Sequence, residues 1–263
     1  MTAHLAVAAA ALFAAGLALY SGFGLGTLLL PVFTLFFPPA VAVAATAVVH
    51  GANNLFKLAL VGRHAERALL LRFGVPAIGA AFAGAALLGA LAGAGELGRY
   101  ALLGRTAIVT PLKIVLGLLM LVFAAFELVP RLRGLRFERR HLVVGGLLSG
   151  FFGGLSGHQG ALRSAFLAKA GLSTEAFVGT NAAIGFLVDV VRTAVYAAAF
   201  WLAGAANPLG RGEWPLVVTG CLAAFTGVLL GSRYLHQVTM RAVQTLAGTL
   251  LVALGAALAA GWL

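Results

Sequence analysis

The stretch Gly145–Tyr196 reads GGLLSGFFGGLSGHQGALRSAFLAKAG, continued by LSTEAFVGTNAAIGFLVDVVRTAVY. It is almost entirely apolar or small, and its glycines fall where they would interrupt a helix. Strongly polar groups are costly in a lipid-facing segment and usually line a pathway or a site. The stretch therefore predicts a broken membrane segment that carries a functional site. Its strongly polar side chains are His158, Gln159, Arg163, Lys169, Asp189 and Arg192.

The composition of the whole chain indicates a membrane protein. Hydrophobic residues make up 62%, charged residues 10%, and the mean hydropathy is +1.03. A soluble domain is roughly 45–50% apolar and about 25% charged. Apolar runs of membrane-spanning length follow one another with short polar breaks, and no polar stretch is long enough to build a separate soluble core. These features predict an all-α, polytopic transmembrane protein with the lipid bilayer as its surroundings.

Charge and cysteine content exclude several classes of partner. The formal net charge is +11, but the arginines lie mostly in short loops between apolar runs. The positive-inside rule explains this distribution, so we expect no nucleic-acid partner. Cys221 is the only cysteine, which rules out an intrachain disulfide and a thiolate metal cluster. We expect neither a metal nor a cofactor.

The order of apolar runs gives the expected spans. The N-terminal run lacks the basic region of a signal peptide, so it is interpreted as the first span. Two shorter segments follow glycine-rich turns, one at Gly22, Gly24 and Gly26 and one at 156–160. Prolines follow the first turn, so we expect half-length helices at both places. The predicted spans are 3–20, 40–62, 73–93, 106–128, 142–155, 175–202, 214–232 and 242–262, and basic loops are expected at 63–72, 129–141 and 233–241.

Two of these spans carry polar stripes. In the second half, Asp189 and Arg192 share a helix face with Thr193 and Tyr196 and are expected to pair with each other. In the first half, the stripe is compatible with interhelical hydrogen bonds, with a lysine that reaches the interface, or with a site. Its members are Thr46, His50, Asn53, Asn54 and Lys57.

A weak internal repeat divides the chain. A shift of 134 positions aligns Gly26 with Gly160 and Thr46 with Thr180, and a longer shift aligns 81–84 with 224–227. We therefore expect a first repeat over 1–128, a basic cytoplasmic connector over 129–141 and a second repeat over 142–263, each with four to five membrane segments. Five crossings per half would place ten arginines on one side. The charge rule thus favours inverted repeats.

The two glycine-rich turns predict where a ligand binds. A glycine-rich turn before a helix exposes unpaired N–H groups at its positive end. If the repeats face each other, both turns converge, and the donors and cations around them predict an anionic substrate. Helix packing is the alternative role for such glycines. The expected substrate-binding residues are Gly22, Gly24, Gly26, Asn53, Asn54, Lys57, Ser156, Gly157, His158, Gln159, Gly160, Arg163, Thr180 and Asn181, and those expected in ion coupling are His158, Asp189 and Arg192.

These motifs resemble the sulfite exporter TauE/SafE family of permeases. SGFGLGTLLLP at 21–31 with Thr46 is similar to the first family motif, and SGFFGGLSGHQGALRSAFL at 149–167 with GTNAAIGF at 179–186 is similar to the second. The resemblance implies a multi-pass protein of the bacterial plasma membrane that transports small sulfur-containing or carboxylate anions. One departure is Arg163 and its neighbours near the position of the family's second proline. It indicates a different anion or a different coupling.

The leading hypothesis is a secondary transporter that works by alternating access. No nucleotide-binding motif is present. An intramembrane enzyme is a second hypothesis, but the chain has no HExxH motif, and His50 and His158 lie in different repeats. An anion channel and an assembly role are further alternatives. A homodimer is one arrangement that the sequence leaves open.

Overall fold

The computed structural model describes residues 1–21, 25–102, 104–202, 209, 212–234 and 240–263. Short 3-10 helices at Gly62–His64 and Arg139–His141 and a π-helical turn at Leu70–Gly74 join some elements, and β1 (Gly98–Leu102) pairs with β2 (Arg105–Val109). The α-helices are α1 (Thr2–Ser21), α2 (Leu25–Thr34), α3 (Pro39–Val61), α4 (Arg67–Leu69), α5 (Val75–Ala92), α6 (Pro111–Leu128), α7 (Pro130–Arg133), α8 (Leu142–Ser156), α9 (Gly160–Leu167), α10 (Thr174–Leu202), α11 (Trp214–Tyr234) and α12 (Met240–Ala259).

The helices have the length and surface of membrane spans. Within the described chain, four segments are long and apolar enough to cross a bilayer, namely Arg67–Ala92, Pro111–Leu128, Thr174–Leu202 and Trp214–Gly231. Large apolar side chains such as Leu222 on α11 point outward, with an exposed fraction of 60%. Such surfaces are stable against lipid but not against water. The chain is therefore a multi-pass helical membrane protein, as its composition predicted.

Two half-length helices appear where the sequence predicted them. α2 spans ten residues, all of them buried, and it accommodates Pro31 in its interior. α9 spans eight residues and follows α8 after a turn in which Gly157 has a φ of 82°. A side chain is rarely tolerated at that φ, so glycine allows the reversal between α8 and α9. Gly22 and Gly24, which belong to the first predicted turn, lie outside the described residues.

Helices of the two halves pack against each other in matching pairs. α1 lies on α11, α5 on α8, α6 on α12, and α3 on α10, while α2 touches α9. Gly84 of α5 packs against the Phe151 carbonyl of α8, and Gly227 of α11 packs against the Leu12 carbonyl of α1. These glycines end the aligned segments 81–84 and 224–227. Such pairing is what a two-fold repeat requires, while the repeat boundaries and their orientation in the membrane stay predictions.

The region before α6 differs from the prediction. Residues 106–109 were expected to begin a span, but they belong to the antiparallel hairpin β1–β2, in which Gly98 pairs with Val109. Gly104, just before β2, has a φ of 73° that favours glycine, and β-branched residues favour the following strand. α6 begins only at Pro111, where Thr110 accepts a hydrogen bond from the Lys113 amide at 3.2 Å. Strand pairing up to Val109 and a capped helix start explain the later boundary.

The basic loop after α3 is also shorter than predicted. Residues 63–72 were expected to form a loop, but the chain is already helical from Arg67 and continues through the π-helical turn into α5. Arg67 and Arg72 are exposed on that helix. The apolar pattern alone predicted a span from residue 73. The helix begins earlier, because arginines at a helix end extend towards the interface and do not interrupt the helix itself.

Candidate functional site

A buried polar contact joins α3 to α10. His50 Nδ1 lies 2.6 Å from Asp189 Oδ2, and Asn54 Nδ2 donates to the same oxygen at 2.9 Å. Asn54 Nδ2 is also 3.0 Å from His50 Nδ1. Gly51, between these two residues on α3, faces the Asp189 Cβ, and a side chain there would come within 3.3 Å of it. The glycine thus lets the two helices approach until the polar groups meet.

The other carboxylate oxygen of Asp189 binds the glycine-rich turn and its own helix. Asp189 Oδ1 accepts hydrogen bonds from Arg192 Nε at 3.0 Å and from Gln159 Nε2 at 3.2 Å. Arg192 Nη2 lies 2.9 Å from that oxygen, so the expected pair of Asp189 and Arg192 is confirmed. Neither Nη1 nor Nη2 has a hydrogen bond aligned to a described residue, although the side chain is fully buried. The guanidinium therefore keeps donors for a further ligand.

Arg163 extends the network along α10. From α9 its Nε donates to the Asn181 side-chain oxygen, and its Nη1 donates to Gln159 Oε1 at 2.9 Å. Only 3% of its surface is exposed. Gly185 makes room for this arrangement, because a Cβ there would lie 3.1 Å from Arg163 Nη1 and 2.6 Å from Asn54 Nδ2. The network therefore runs from Asn181 to Arg192, roughly 16 Å along the helix axis.

The two glycine-rich segments meet beside this network. The Cα of Gly26 on α2 faces the carbonyl of Gly157, and a Cβ on Gly26 would lie 2.9 Å from that oxygen. On its other side Gly157 touches Arg192, whose Nη1 would be 2.6 Å from an added Cβ. The expected convergence of the two segments is thus present for the described residues. It places Arg192 directly against the turn that precedes α9.

Some predicted site residues lie elsewhere. The Thr180 hydroxyl accepts the backbone N–H of Glu66 at 2.9 Å, which ties α10 to the start of α4 rather than to the network. His158 turns away from Asp189: its ring stacks on Phe123 of α6 at 4.9 Å, and its Nδ1 lies 3.0 Å from Ser156 Oγ. The next residue, Gln159, points the opposite way and enters the network instead. Neighbouring residues in a tight turn cannot both face one centre, and sequence spacing does not reveal which one does.

Other predicted residues are buried without strong partners. Asn53 is 1% exposed, and neither side-chain amide atom has a described hydrogen-bond partner. Lys57 is 6% exposed and therefore does not reach the surface from its place on α3. The Nε2 atom of His158 also lacks a described partner. Buried polar atoms without partners are uncommon in folded proteins, and they mark places where a ligand or water binds.

The buried charges near the network do not balance. Arg163 and Arg192 are cationic, and Asp189 is the carboxylate that contacts the network. Burying an unbalanced charge is expensive, so the excess positive charge favours uptake of an anion. No group of three His, Cys, Asp or Glu side chains in the described part of the chain is placed to hold a metal ion.

Sequence reasoning missed His50 as a site residue. It belonged to the polar stripe of α3, and its position between Thr46 and Asn54 was the available signal. It also missed Glu127 on α6, which is 2% exposed and has a carboxylate oxygen without a described partner. A glutamate at the end of an apolar run looks like an interfacial residue, and only packing against α12, where a Cβ added to Gly248 would lie 3.2 Å from the Glu127 Cβ, reveals its burial.

A comparison with known protein families identifies the family of this chain. The family model described as sulfite exporter TauE/SafE matches residues 7–258, which is nearly the whole chain and includes every residue of the network. No curated protein and no solved structure matches the chain significantly. Glycine-rich half-helices, buried arginines and this match lead to one conclusion: the chain belongs to the sulfite exporter TauE/SafE family of membrane permeases for sulfur anions.

Proposed function

We propose that this protein is a secondary transporter that moves a small sulfur-containing or carboxylate anion across the bacterial plasma membrane by alternating access. The anion binds where the two glycine-rich segments meet, with Arg163 and Arg192 as its cationic ligands. In this proposal the repeats are inverted, the connector 129–141 faces the cytoplasm, and no chemical step takes place on the anion.

The observation that carries the proposal is the excess of guanidinium groups over carboxylates within the buried network. Arg163 and Arg192 are 3% and 0% exposed, and both approach Asp189 through direct or shared hydrogen bonds. A guanidinium presents a planar fork of donors that matches sulfite, sulfonate and carboxylate oxygens. An anion bound here would balance the second positive charge and use the open donors of Arg192.

The contact between Gly26 and Gly157 supports the proposal that the two halves move against each other at the anion site. The two half-helices touch through backbone atoms without intervening side chains. Broken helices at the interface of two halves give transporters a site near the middle of the membrane that each half can expose in turn. Rocking of one half against the other would open and close this contact around the bound anion.

The decisive experiment is binding and uptake of labelled sulfite by purified protein with Arg163 replaced. Loss of a charged hydrogen-bonding partner removes about 1.5–3 kcal/mol, so Arg163→Ala should weaken sulfite binding by roughly 10–100-fold. Arg163→Lys should retain part of the affinity, because the charge remains but the fork is lost. Arg136→Ala is the matched control, since the exposed Arg136 bonds only to carbonyls of its own loop.

The same preparations test the alternatives. Saturable uptake that unlabelled sulfonates and carboxylates compete away supports a transporter and ranks its substrates. Uptake that does not saturate indicates a channel. An affinity for sulfite that Arg163→Ala leaves unchanged, in protein that elutes as a single folded species, contradicts the proposed site.

A further inference from the structure

The contact between His50 and Asp189 is a short hydrogen bond. Their Nδ1 and Oδ2 atoms are 2.6 Å apart, so a hydrogen lies between them. A neutral imidazole protonated at Nδ1 donates this hydrogen to the carboxylate in a charge-assisted bond. Asn54 Nδ2 supplies its own donor to Asp189 Oδ2 at 2.9 Å and therefore does not replace this hydrogen. The pair, built from one helix of each half, can bind one further proton on the imidazole or on the carboxylate.

Protonation of this pair would alter the surroundings of Arg192. Asp189 Oδ1 is the carboxylate oxygen that Arg192 contacts, at 3.0 Å from Nε and 2.9 Å from Nη2. A neutral carboxyl group holds a guanidinium much less strongly than a carboxylate does. Since Arg192 Nη1 already lies against Gly157 without an aligned partner, the released guanidinium would face the turn where the anion binds.

Other charged and titratable groups lie on the elements that pack around Asp189. α5 and α8, which also pack on α10, carry no charged side chain in Val75–Ala92 or Leu142–Ser156. Arg63, His64 and Arg72, in the short segments that also contact α10, are exposed. In the described part of the chain, the buried titratable or charged groups on the elements that pack around Asp189 are His50 and Lys57 on α3, His158 before α9, Arg163 on α9, and Arg192 and Tyr196 on α10. The Tyr196 hydroxyl donates to the Gly154 carbonyl, and His4 of α1, which also contacts α10, is exposed.

The Asp189 carboxyl group borders a groove in the protein surface. A groove of about 430 Å³ runs between α3 and α10, and Asp189 lies at its inner wall, itself 1% exposed. Thr193 is the other polar residue of the groove. The remaining lining is made of Ala47, Val48, Gly51, Val190, Ala194 and Ala197.

We propose that His50 and Asp189 form the proton site that couples transport, and that its protonation transfers Arg192 from Asp189 to the substrate anion; this rests on the proposed function. A proton from one side of the membrane joins the pair, and the Asp189 carboxylate becomes a neutral acid. Arg192, without its counter-charge, then pairs with the anion. When the anion leaves on the other side, the proton leaves with it and Arg192 returns to the carboxylate.

The first test needs no substrate. Infrared difference spectra of the reconstituted protein between about pH 8 and about pH 5, the range in which histidine-linked sites titrate, should contain the C=O band of a protonated carboxylic acid. Asp189→Asn should remove that band, and His50→Gln should shift the pH at which it appears. Glu127→Gln serves as the control for the other buried carboxyl group. A spectrum that Asp189→Asn leaves unchanged overturns the proton site, whatever the substrate is.

The second test asks whether protons move together with the anion. In proteoliposomes with a pH-sensitive dye inside, wild-type protein should carry protons together with labelled sulfite, and an imposed pH gradient should drive accumulation. Asp189→Asn should still exchange labelled for unlabelled sulfite but should move no protons and ignore the gradient. Thr193→Val, in the same groove, should behave like the wild type. Gradient-driven accumulation that survives in Asp189→Asn overturns the coupling, and so does complete loss of sulfite exchange in a folded Asp189→Asn protein.

The two proposals fail in different ways. If wild-type protein neither binds nor moves sulfite while the Asp189 band titrates, the proposed substrate is wrong and the proton site stands. If sulfite uptake requires Arg163 but carries no protons, the proposed function stands and the coupling is wrong.

Discussion

Gly26 and Gly157 bring the two half-helix segments into backbone contact, and a Cβ added to Gly26 would come within 2.9 Å of the Gly157 carbonyl oxygen. No real Cβ tolerates that distance, so Gly26→Ala must push α2 away from the turn before α9. Overpacking of this kind costs about 1–3 kcal/mol. We expect the variant to fold with a lower Tm and to transport labelled sulfite much more slowly than the wild type.

Gly79→Ala is the matched control for this prediction. Gly79 lies on α5 with nothing within 4 Å of an added Cβ, so the substitution should raise stability by up to about 1 kcal/mol through helix propensity and leave transport intact. Wild-type transport by Gly26→Ala would show that the contact between the half-helices has no part in the transport cycle.

The Asp189–Arg192 pair should show strong thermodynamic coupling. Asp189→Ala leaves the fully buried Arg192 without its counter-charge, and removal of one partner of a buried pair costs about 3–5 kcal/mol. Asp189→Ala with Arg192→Ala should therefore lose much less stability than the sum of the two single variants. Thermal unfolding of the four proteins in detergent measures this difference as a double-mutant cycle.

An exposed pair provides the comparison. Arg99 Nε lies 2.5 Å from Glu96 Oε2, but the two side chains are 63% and 38% exposed. Exposed pairs contribute about 0–1 kcal/mol, so the same cycle at these positions should give almost no coupling. Additive losses at Asp189 and Arg192 would mean that Arg192 is held mainly by other groups.

Helical periodicity predicted which site residues share a helix face, but it did not predict which residues of other helices they contact. The i, i+3 spacing of Asp189 and Arg192 predicts their pairing from local geometry alone, and the observed contacts agree. The polar stripe on α3 also lies on one face of its helix, as its spacing predicted, and that face is buried. His50 and Asp189 are 139 positions apart, however, and their contact depends on how α3 crosses α10. That crossing is set by Gly51 and Gly185, whose role in packing is not visible in a sequence pattern.

Turns and short strands limited the rest of the prediction. Gln159 and His158 are adjacent, and the φ of Gly157 decides which of them faces Asp189. Likewise, the apolar residues 106–109 extend a helix-length run, and only pairing with residues 98–102 distinguishes the strand from a helix. Thr180 was expected among the substrate-binding residues, but its hydroxyl is occupied by the Glu66 amide.

The hairpin β1–β2 should stabilise the end of α12 without affecting transport. Lys113 Nζ donates to the carbonyls of Ile108 and Gly261 at 3.0 and 3.3 Å, and the Tyr100 hydroxyl donates to the Ala260 carbonyl at 2.6 Å. Lys113→Met removes charged hydrogen bonds worth about 1.5–3 kcal/mol at most. We expect a Tm lower by several degrees with an unchanged KM for sulfite.

Arg99→Ala again serves as a control in the same hairpin, since its exposed ion pair with Glu96 should add little stability. A change in the KM for sulfite on Lys113→Met, at unchanged protein amount, would show that the hairpin communicates with the site.

Residues 129–141, the connector between the halves, contact the C-terminal end of α9, the helix that carries Arg163. Phe137 stacks on Phe166 with ring centroids 4.1 Å apart and donates its backbone N–H to the Ala165 carbonyl at 3.1 Å. Arg139 Nη2 donates to the Ala170 carbonyl just beyond the helix. These contacts fix the position of α9, and therefore of the Arg163 guanidinium, from the side opposite the glycine-rich turn.

Phe137→Ala should therefore weaken sulfite binding even though the residue does not touch the site. An aromatic pair contributes about 0.5–1.5 kcal/mol beyond its buried area, so α9 should become less firmly placed, and the KM for sulfite should rise more than the maximal rate falls. Phe137→Leu, which restores apolar packing, should recover part of the affinity. Arg140→Ala is the control, because its ion pair with Glu138 is 74% and 60% exposed. Equal KM values for Phe137→Ala and Arg140→Ala would show that the connector only joins the halves and does not position Arg163.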